Sequence, residues 1–432
     1  MCYAIPGKVL KIEGKTVTVD YFGEEKTAVN ELHHLAVGDY IYAQGGFVIE
    51  QVPPDTAREV LEAWRDVFFH LREIDVRLSR LPVVERGVTP AVARLLDRAM
   101  EGRPLKREEL LSLLSLPEGP DNDLLASAAN FLRQKHQKNA CCVHGILELS
   151  NICRRNCGYC GIAAGNGKLA RYRMSREEIL AAVEEAVTVH GFRALVLQGG
   201  EGAYPVSVLA AIIREIKERF AVLVFVSCGE IGRPGLEELY EAGARGLLLR
   251  FETSNPALYG SLHPGFSLES RLRDLRDAFE IGYLIITGGL IGLPGQSDGD
   301  ILNDILLAGE LHAEMYSFGP FLPHPATPLC AAPPPPSARI IKTLAVTRLT
   351  DPAHARILVT TGLETLDGDA RRKALLAGAN SVMLNVTPLA YRRLYSIYPG
   401  RAHGEEAIPD QIAGTIALLK ALGRSPTDLG TG

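Results

Sequence analysis

From residue 141 onward the sequence alternates short apolar runs with amphipathic stretches, and no other feature constrains the fold as strongly. Val143–Leu149, Ala194–Gln198, Leu223–Ser227 and Gly246–Phe251 read as buried strands, and so do Leu284–Leu290, Met315–Gly319, Arg356–Thr360 and Ser381–Leu384. Helical periodicity fills the intervals, as in Ser175–Val189, Val206–Arg219, Arg233–Ala242, Leu268–Ile281 and Asp298–Leu311. Eight strand-helix units in about 260 residues have the size of a (β/α)8 TIM-type barrel, an α/β fold whose chemistry sits at the C-terminal ends of the strands. A doubly wound open sheet has the same periodicity and stays as the alternative. The proline run Pro333–Pro336 is short enough to be a loop after the sixth strand.

The first part of the chain is different. Between Ala4 and Val52, short β-rich runs are punctuated at Gly7, Gly14, Gly38 and Gly46, the pattern of a small antiparallel β-barrel. Pro53-Pro54 ends it, and Ala57, Val60, Leu61, Trp64, Val67 and Phe68 then follow a helical period. The expected organisation is a small barrel over 1–54, a helical connecting region over 55–138 and the large barrel with a C-terminal helix over 139–432. At 47% hydrophobic residues, 22% charged and a net charge of −5, the chain lacks the basic excess of nucleic-acid binders. The longest apolar stretch, Leu284 to Leu293, is about half of the ~20 residues a membrane span needs. No membrane partner is expected, and Met1-Cys2-Tyr3-Ala4 resembles no export leader, so the cytoplasm is the expected location.

Eight cysteines in 432 residues are too sparse for a secreted disulfide scaffold. Three of them, Cys153, Cys157 and Cys160, form a CxxxCxxC cluster just after the first barrel strand. Three soft thiolates on a compact loop suit a four-iron cluster, and a missing fourth protein ligand leaves one iron open. The competing reading is a closed zinc site completed by His144, Cys141 or Cys142. Further along, Arg250 and Glu252 leave an apolar run and point charge into the barrel mouth, unless they form a structural ion pair. Glu230 follows the third strand, where a carboxylate also suits the free amides of a helix N-terminus.

CxxxCxxC resembles the signature of the radical S-adenosylmethionine (SAM) superfamily. The resemblance implies a [4Fe-4S] cluster held by Cys153, Cys157 and Cys160, SAM chelated at its open iron, and a 5′-deoxyadenosyl radical formed by reductive cleavage. It places Tyr159 against the adenine and makes Gln198-Gly199-Gly200-Glu201 the motif that receives the SAM ammonium. Glu230 and Arg250 join the same site, and Ile291-Gly292-Leu293-Pro294-Gly295 becomes the adenine-holding stretch.

Longer strings narrow the resemblance. Arg171-Tyr172-Arg173-Met174, Phe251-Glu252-Thr253, Tyr259-Gly260-Ser261-Leu262-His263-Pro264, Gly319-Pro320-Phe321-Leu322-Pro323-His324-Pro325 and Tyr395-Ser396-Ile397-Tyr398-Pro399-Gly400 are similar to the HydE family of FeFe-hydrogenase maturases, relatives of biotin synthase and methylornithine synthase. That resemblance puts Glu252 on the SAM ribose, Arg271 on the SAM carboxylate, and Thr360, Thr361 and Tyr395 around the substrate. The substrate it implies is a small organometallic iron complex with carbonyl, cyanide and cysteine ligands. A ferredoxin or flavodoxin would donate electrons, and other hydrogenase maturation proteins would be partners. The N-terminal string Met1-Cys2-Tyr3-Ala4-Ile5-Pro6-Gly7, with Gly46-Phe47-Val48-Ile49, resembles the HypC/HupF chaperones of hydrogenase assembly, which implies an iron carrier site at Cys2. Where that family has a histidine, this chain has Gln44. A radical SAM enzyme of purely organic metabolism and a non-catalytic metallochaperone are the alternatives.

Overall fold

The computed structural model describes residues 3–31, 34–81 and 87–429. Five strands, β1 (Gly7–Glu13), β2 (Thr16–Tyr21), β3 (Glu24–Val29), β4 (Tyr40–Gln44) and β5 (Phe47–Val52), close into a small barrel in the order β1-β2-β3-β5-β4. Its neighbours run antiparallel, except that β3 meets β5 in a short parallel pairing at Val29 and Phe47. Alternation along β2, with Val17, Val19 and Tyr21 inward, builds its core, and Tyr3 and Phe68 complete that core from outside the strands.

Four helices follow: α1 (Pro54–Leu78), α2 (Pro90–Met100), α3 (Arg107–Leu114) and α4 (Pro120–Gln137). Proline opens α1, α2 and α4, where its missing N–H and fixed φ cost nothing. A buried ionic network ties α1 and α4 to the end of the chain. Arg133 donates to both oxygens of Asp75 at 2.8 and 2.9 Å, and Arg424 Nε approaches the same carboxylate at 3.0 Å.

The remaining strands in chain order are β6 (Ala140–Ser150), β7 (Ala194–Gly199), β8 (Leu223–Ser227), β9 (Ala244–Leu248), β10 (Leu284–Thr287) and β11 (Leu290–Ile291). Then come β12 (Ala313–Tyr316), β13 (Gly319–Pro320), β14 (Arg356–Val359), β15 (Ser381–Asn385) and β16 (Ser425–Pro426). Parallel pairing runs from β6 through β7, β8, β9, β10, β12 and β14 to β15, which returns to β6 and closes an eight-stranded barrel. Closure decides against the open sheet. β16 adds to the outer start of β6 at Ala140 and Cys141.

Two strands differ from the sequence reading: Leu284–Leu290 and Met315–Gly319 are each interrupted, the first after Thr287 and the second after Tyr316. Gly288 and Gly289 break the first of these, because the backbone of Ser317 passes so close that a Cβ on Gly288 would lie 2.4 Å from the Ser317 carbonyl oxygen. β11 beyond the break pairs instead with β13 and forms a rim over the barrel mouth. The small barrel closes the opposite end. Its Tyr42, Phe47 and Ile49 pack with Ala194, Leu223 and Phe225, near the beginnings of β7 and β8. Arg193 pairs with Glu50 at 3.0 Å over the Tyr42 ring, and Arg245 pairs with Glu31 at 2.9 Å. No described helix is long and apolar enough to cross a membrane.

Candidate active site

The cysteine loop leaves β6 at the C-terminal end of the barrel and is held by backbone and arginine contacts. Gly158 N–H donates to Leu262 O at 2.8 Å and Gly161 N–H to Ile397 O at 2.8 Å. The Arg171 guanidinium spans the loop from inside, donating to the carbonyls of Asn151, Ile162, Ala163 and Asn166. Gly200 lies against this loop so closely that a Cβ there would sit 2.1 Å from the Ile152 carbonyl oxygen. Burial pushes the Cys157 thiol up to about 12, the neighbouring cysteines adding to the effect, and the Cys160 thiol is raised further. Three thiolates crowded in this way need a cation to coexist, so the donor set fits a metal cluster. Cys141, Cys142 and His144 lie toward the other end of β6, six to nine residues before its last residue, Ser150, or roughly 20–30 Å from the loop. That separation removes the closed zinc site as a reading.

Cys153, Tyr159 and Cys160 face a cavity of about 320 Å³ at the barrel mouth. Gln198, Gly199, Gly200 and Glu201 line it from β7 and its end, and Arg250, Glu252 and Arg271 from the next quarter. Thr360, Thr361 and Tyr395 close the far wall. The structure thus brings together most of the sequence-derived candidates. Cys157 and Leu293 are not on this wall: Cys157 sits within the loop, and Leu293 packs under Tyr159 with Leu262, Leu290 and Phe321. Glu230 stands behind the wall, beside a neighbouring cleft.

The charged groups form a chain. Glu201 accepts from Arg154 at 2.8 Å, from Arg155 at 2.5 Å and from the Glu230 amide at 3.0 Å, so its carboxylate is occupied by protein donors. Glu230 accepts from Arg271 at 2.6 Å and from Ser270 at 2.9 Å, and Arg155 reaches it at 2.6 Å. Despite desolvation, these cations hold the Glu230 carboxyl below its ordinary range. Arg271 also donates to Arg250 O at 2.7 Å. Glu252 adopts φ +68°, a left-handed conformation unusual for a residue with a side chain, imposed where its carbonyl receives the Leu290 amide. Its Oε2 is 3.2 Å from Arg250 Nη2 yet aligned with no donor among the described residues, a buried carboxylate oxygen open to a ligand hydroxyl.

Tyr159 meets His263, its hydroxyl 3.2 Å from Nε2. Because Nδ1 of His263 lies 3.1 Å from Tyr259 O, it carries the proton and Nε2 accepts from Tyr159. Burial and the nearby arginines lower His263 to about 3, so the ring is neutral at physiological pH.

Sequence reasoning missed several residues of the cavity. Glu148 on β6 pairs with Arg401 at 2.5 Å, and both line the wall. A lone carboxylate inside the apolar run Ile146-Leu147-Glu148-Leu149 was the available signal; Arg401 had none, since it arrives from a distant loop. Glu148 Oε2, Arg401 Nε and Thr360 Oγ1 are buried and have no hydrogen-bond partner among the described residues. Arg155, within the cysteine loop, lies 3.7 Å over the Phe266 ring and joins two carboxylates that the sequence left unconnected. Gln44 is fully buried in the small barrel, and neither of its amide atoms has a partner among the described residues; Cys2 lies outside them.

Residues 147–308 match the Radical SAM superfamily, and residues 1–64 match the HupF/HypC family. The [FeFe] hydrogenase maturase subunit HydE of Thermotoga maritima is 38% identical over 328 residues, covering 76% of this chain and 93% of the relative. The chain belongs to the HydE family of radical SAM enzymes. A [4Fe-4S] cluster and SAM are therefore its cofactors. The HydE-family chain also resembles the crystal structure of methylornithine synthase (PylB) at TM-score 0.67 and 25% identity, over 77% of this chain and 97% of that one. HydG from Carboxydothermus hydrogenoformans, an FeFe-hydrogenase maturase, superposes at TM-score 0.67 with 19% identity, covering 84% of this chain and 85% of HydG, and supports the fold alone.

Proposed function

We propose that this enzyme uses SAM-derived radical chemistry on a small iron complex bearing carbonyl, cyanide and cysteine ligands, as a step in hydrogenase active-site assembly. Cys153, Cys157 and Cys160 would hold the cluster, which when bound supplies the electron that cleaves SAM. Glu252 would accept a ribose hydroxyl at its open Oε2, and Arg271 would pair with the SAM carboxylate. The backbone at Gly199 and Gly200 would receive the ammonium, with Glu201 fixing the loop through Arg154 and Arg155. Tyr159, over Leu293, would flank the adenine. Glu230 and Arg250 would hold Arg271 and Glu252 in place, and Gln198 would border the sugar.

The observation that carries the substrate class is the far wall. There an unpartnered guanidinium N–H (Arg401), an unpartnered carboxylate oxygen (Glu148) and an unpartnered hydroxyl (Thr360) face one cavity. An acceptor, a donor and a cation together match a zwitterionic amino-acid group, which a cysteine-ligated iron complex presents. Thr361 and Tyr395 would complete that wall. In the small barrel, Cys2 would carry iron before transfer, and the maturation partners would dock there.

The test is to supply the reduced, cluster-loaded protein with SAM and a mononuclear iron–cysteine complex carrying carbonyl and cyanide. Formation of 5′-deoxyadenosine should rise with the complex and show saturation, and free cysteine or other amino acids should give no comparable rise. Equal stimulation by a purely organic amino acid would contradict the substrate class.

A further inference from the structure

At the end of the barrel remote from the cysteine loop, the β4–β5 turn presses into the floor. Gly45, at φ +56°, lies so close to it that a Cβ would be 2.7 Å from Leu223 Cδ2 and 2.8 Å from Leu284 Cδ1. Beside this turn is a cavity of about 10 Å³, room for one ion or one water, bordered by Gly45, Cys142, His144 and Asp428. Cys142 and His144 are two residues apart on β6 and therefore share a face of the strand. Asp428 reaches them from the segment after β16. One ligating atom from each of the three lies within 4.8 Å of the others, and all three residues are buried. His144 Nε2 is 3.4 Å from Asp428 Oδ2, and His144 Nδ1 has no aligned hydrogen-bond partner among the described residues.

We propose that Cys142, His144 and Asp428 form a second metal site, which takes one divalent first-row transition cation such as Zn²⁺ or Fe²⁺. The donor chemistry selects that class: one thiolate, one imidazole and one carboxylate suit borderline cations, while the thiolate disfavours Ca²⁺ and Mg²⁺. Charge supports it too, since a divalent cation is balanced by one thiolate and one carboxylate and leaves a neutral buried centre. Three protein ligands leave a fourth position open. The site shares nothing with the CxxxCxxC loop, and its three residues fall outside both matched regions, 1–64 and 147–308. It stands where the small barrel meets the large one and does not depend on the substrate assigned above.

The test uses full-length protein with its cluster reconstituted, exposed anaerobically to Zn²⁺, desalted, and analysed for zinc and iron content and by zinc K-edge absorption. One zinc per chain beyond the cluster iron is expected, with a single sulfur at about 2.3 Å and nitrogen or oxygen neighbours at about 2.0–2.2 Å. Cys142→Ser and His144→Gln should each weaken retention by at least the ~10–100-fold that loss of an outer-shell partner costs such sites, with cluster iron and SAM cleavage unchanged. No retained zinc, zinc bound by three or four sulfurs, or unaltered binding in both variants would overturn the proposal. If a variant loses its cluster and so has misfolded, the sulfur count of the wild-type site decides.

Discussion

At residue scale, the site works through desolvated charge. Glu252 and Arg271 are each buried beside the cavity, where charge-assisted hydrogen bonds are worth about 1.5–3 kcal/mol. Glu252→Ala or Arg271→Ala should therefore weaken SAM binding roughly 10–150-fold by calorimetry; unchanged affinity in both would mean that SAM lies elsewhere. His263 gives a pH prediction with a definite sign. Its folded-state pKa, about 3, lies below its ordinary value of 6.5, so the stability it contributes is complete above pH ~6.5 and is lost as pH falls toward 3. The stability advantage of wild type over His263→Gln in denaturant titrations should shrink between pH 7 and pH 4. The motif residues were legible because each follows a strand end in order. Glu148, Arg401 and Arg155 were not, because their meaning comes from partners up to 253 positions away.

At element scale, the eight barrel strands were readable because both their faces are buried and their runs are short and apolar. The break at Gly288 and Gly289 was not readable, since glycine in a strand is common and only the approach of Ser317 makes it compulsory. The Asp75, Arg133 and Arg424 network was hidden for a similar reason: its members lie in α1, in α4 and before β16, and sequence gives no register between them. Removing its carboxylate leaves two buried guanidinium groups without their shared counter-charge. Asp75→Ala should cost about 3–5 kcal/mol in thermal or denaturant unfolding. A loss below ~1 kcal/mol would show that the network contributes specificity rather than stability.

At the scale of the whole molecule, the two barrels meet end to end. The mouth of the large barrel carries the cysteine loop and the cavity, and its floor is closed by the β4–β5 turn. A Gly45→Leu substitution, strained at φ +56° and colliding with Leu223 and Leu284, should destabilise that junction by about 1–3 kcal/mol. Faster hydrogen exchange in β4 and β5, with full cluster loading retained, is the expected signature. The sequence showed two different barrels but not how they join, because the joining surface combines residues from the β4–β5 hairpin with the beginnings of several barrel strands. The most direct test of the account is anaerobic SAM cleavage by reconstituted wild type beside a variant with Cys153, Cys157 and Cys160 all replaced by Ala. The wild type should form 5′-deoxyadenosine under a strong reductant and the variant none, and the variant should also lack the four-iron cluster. A cluster and cleavage that both persist in the variant would contradict the assignment of the cluster to these cysteines.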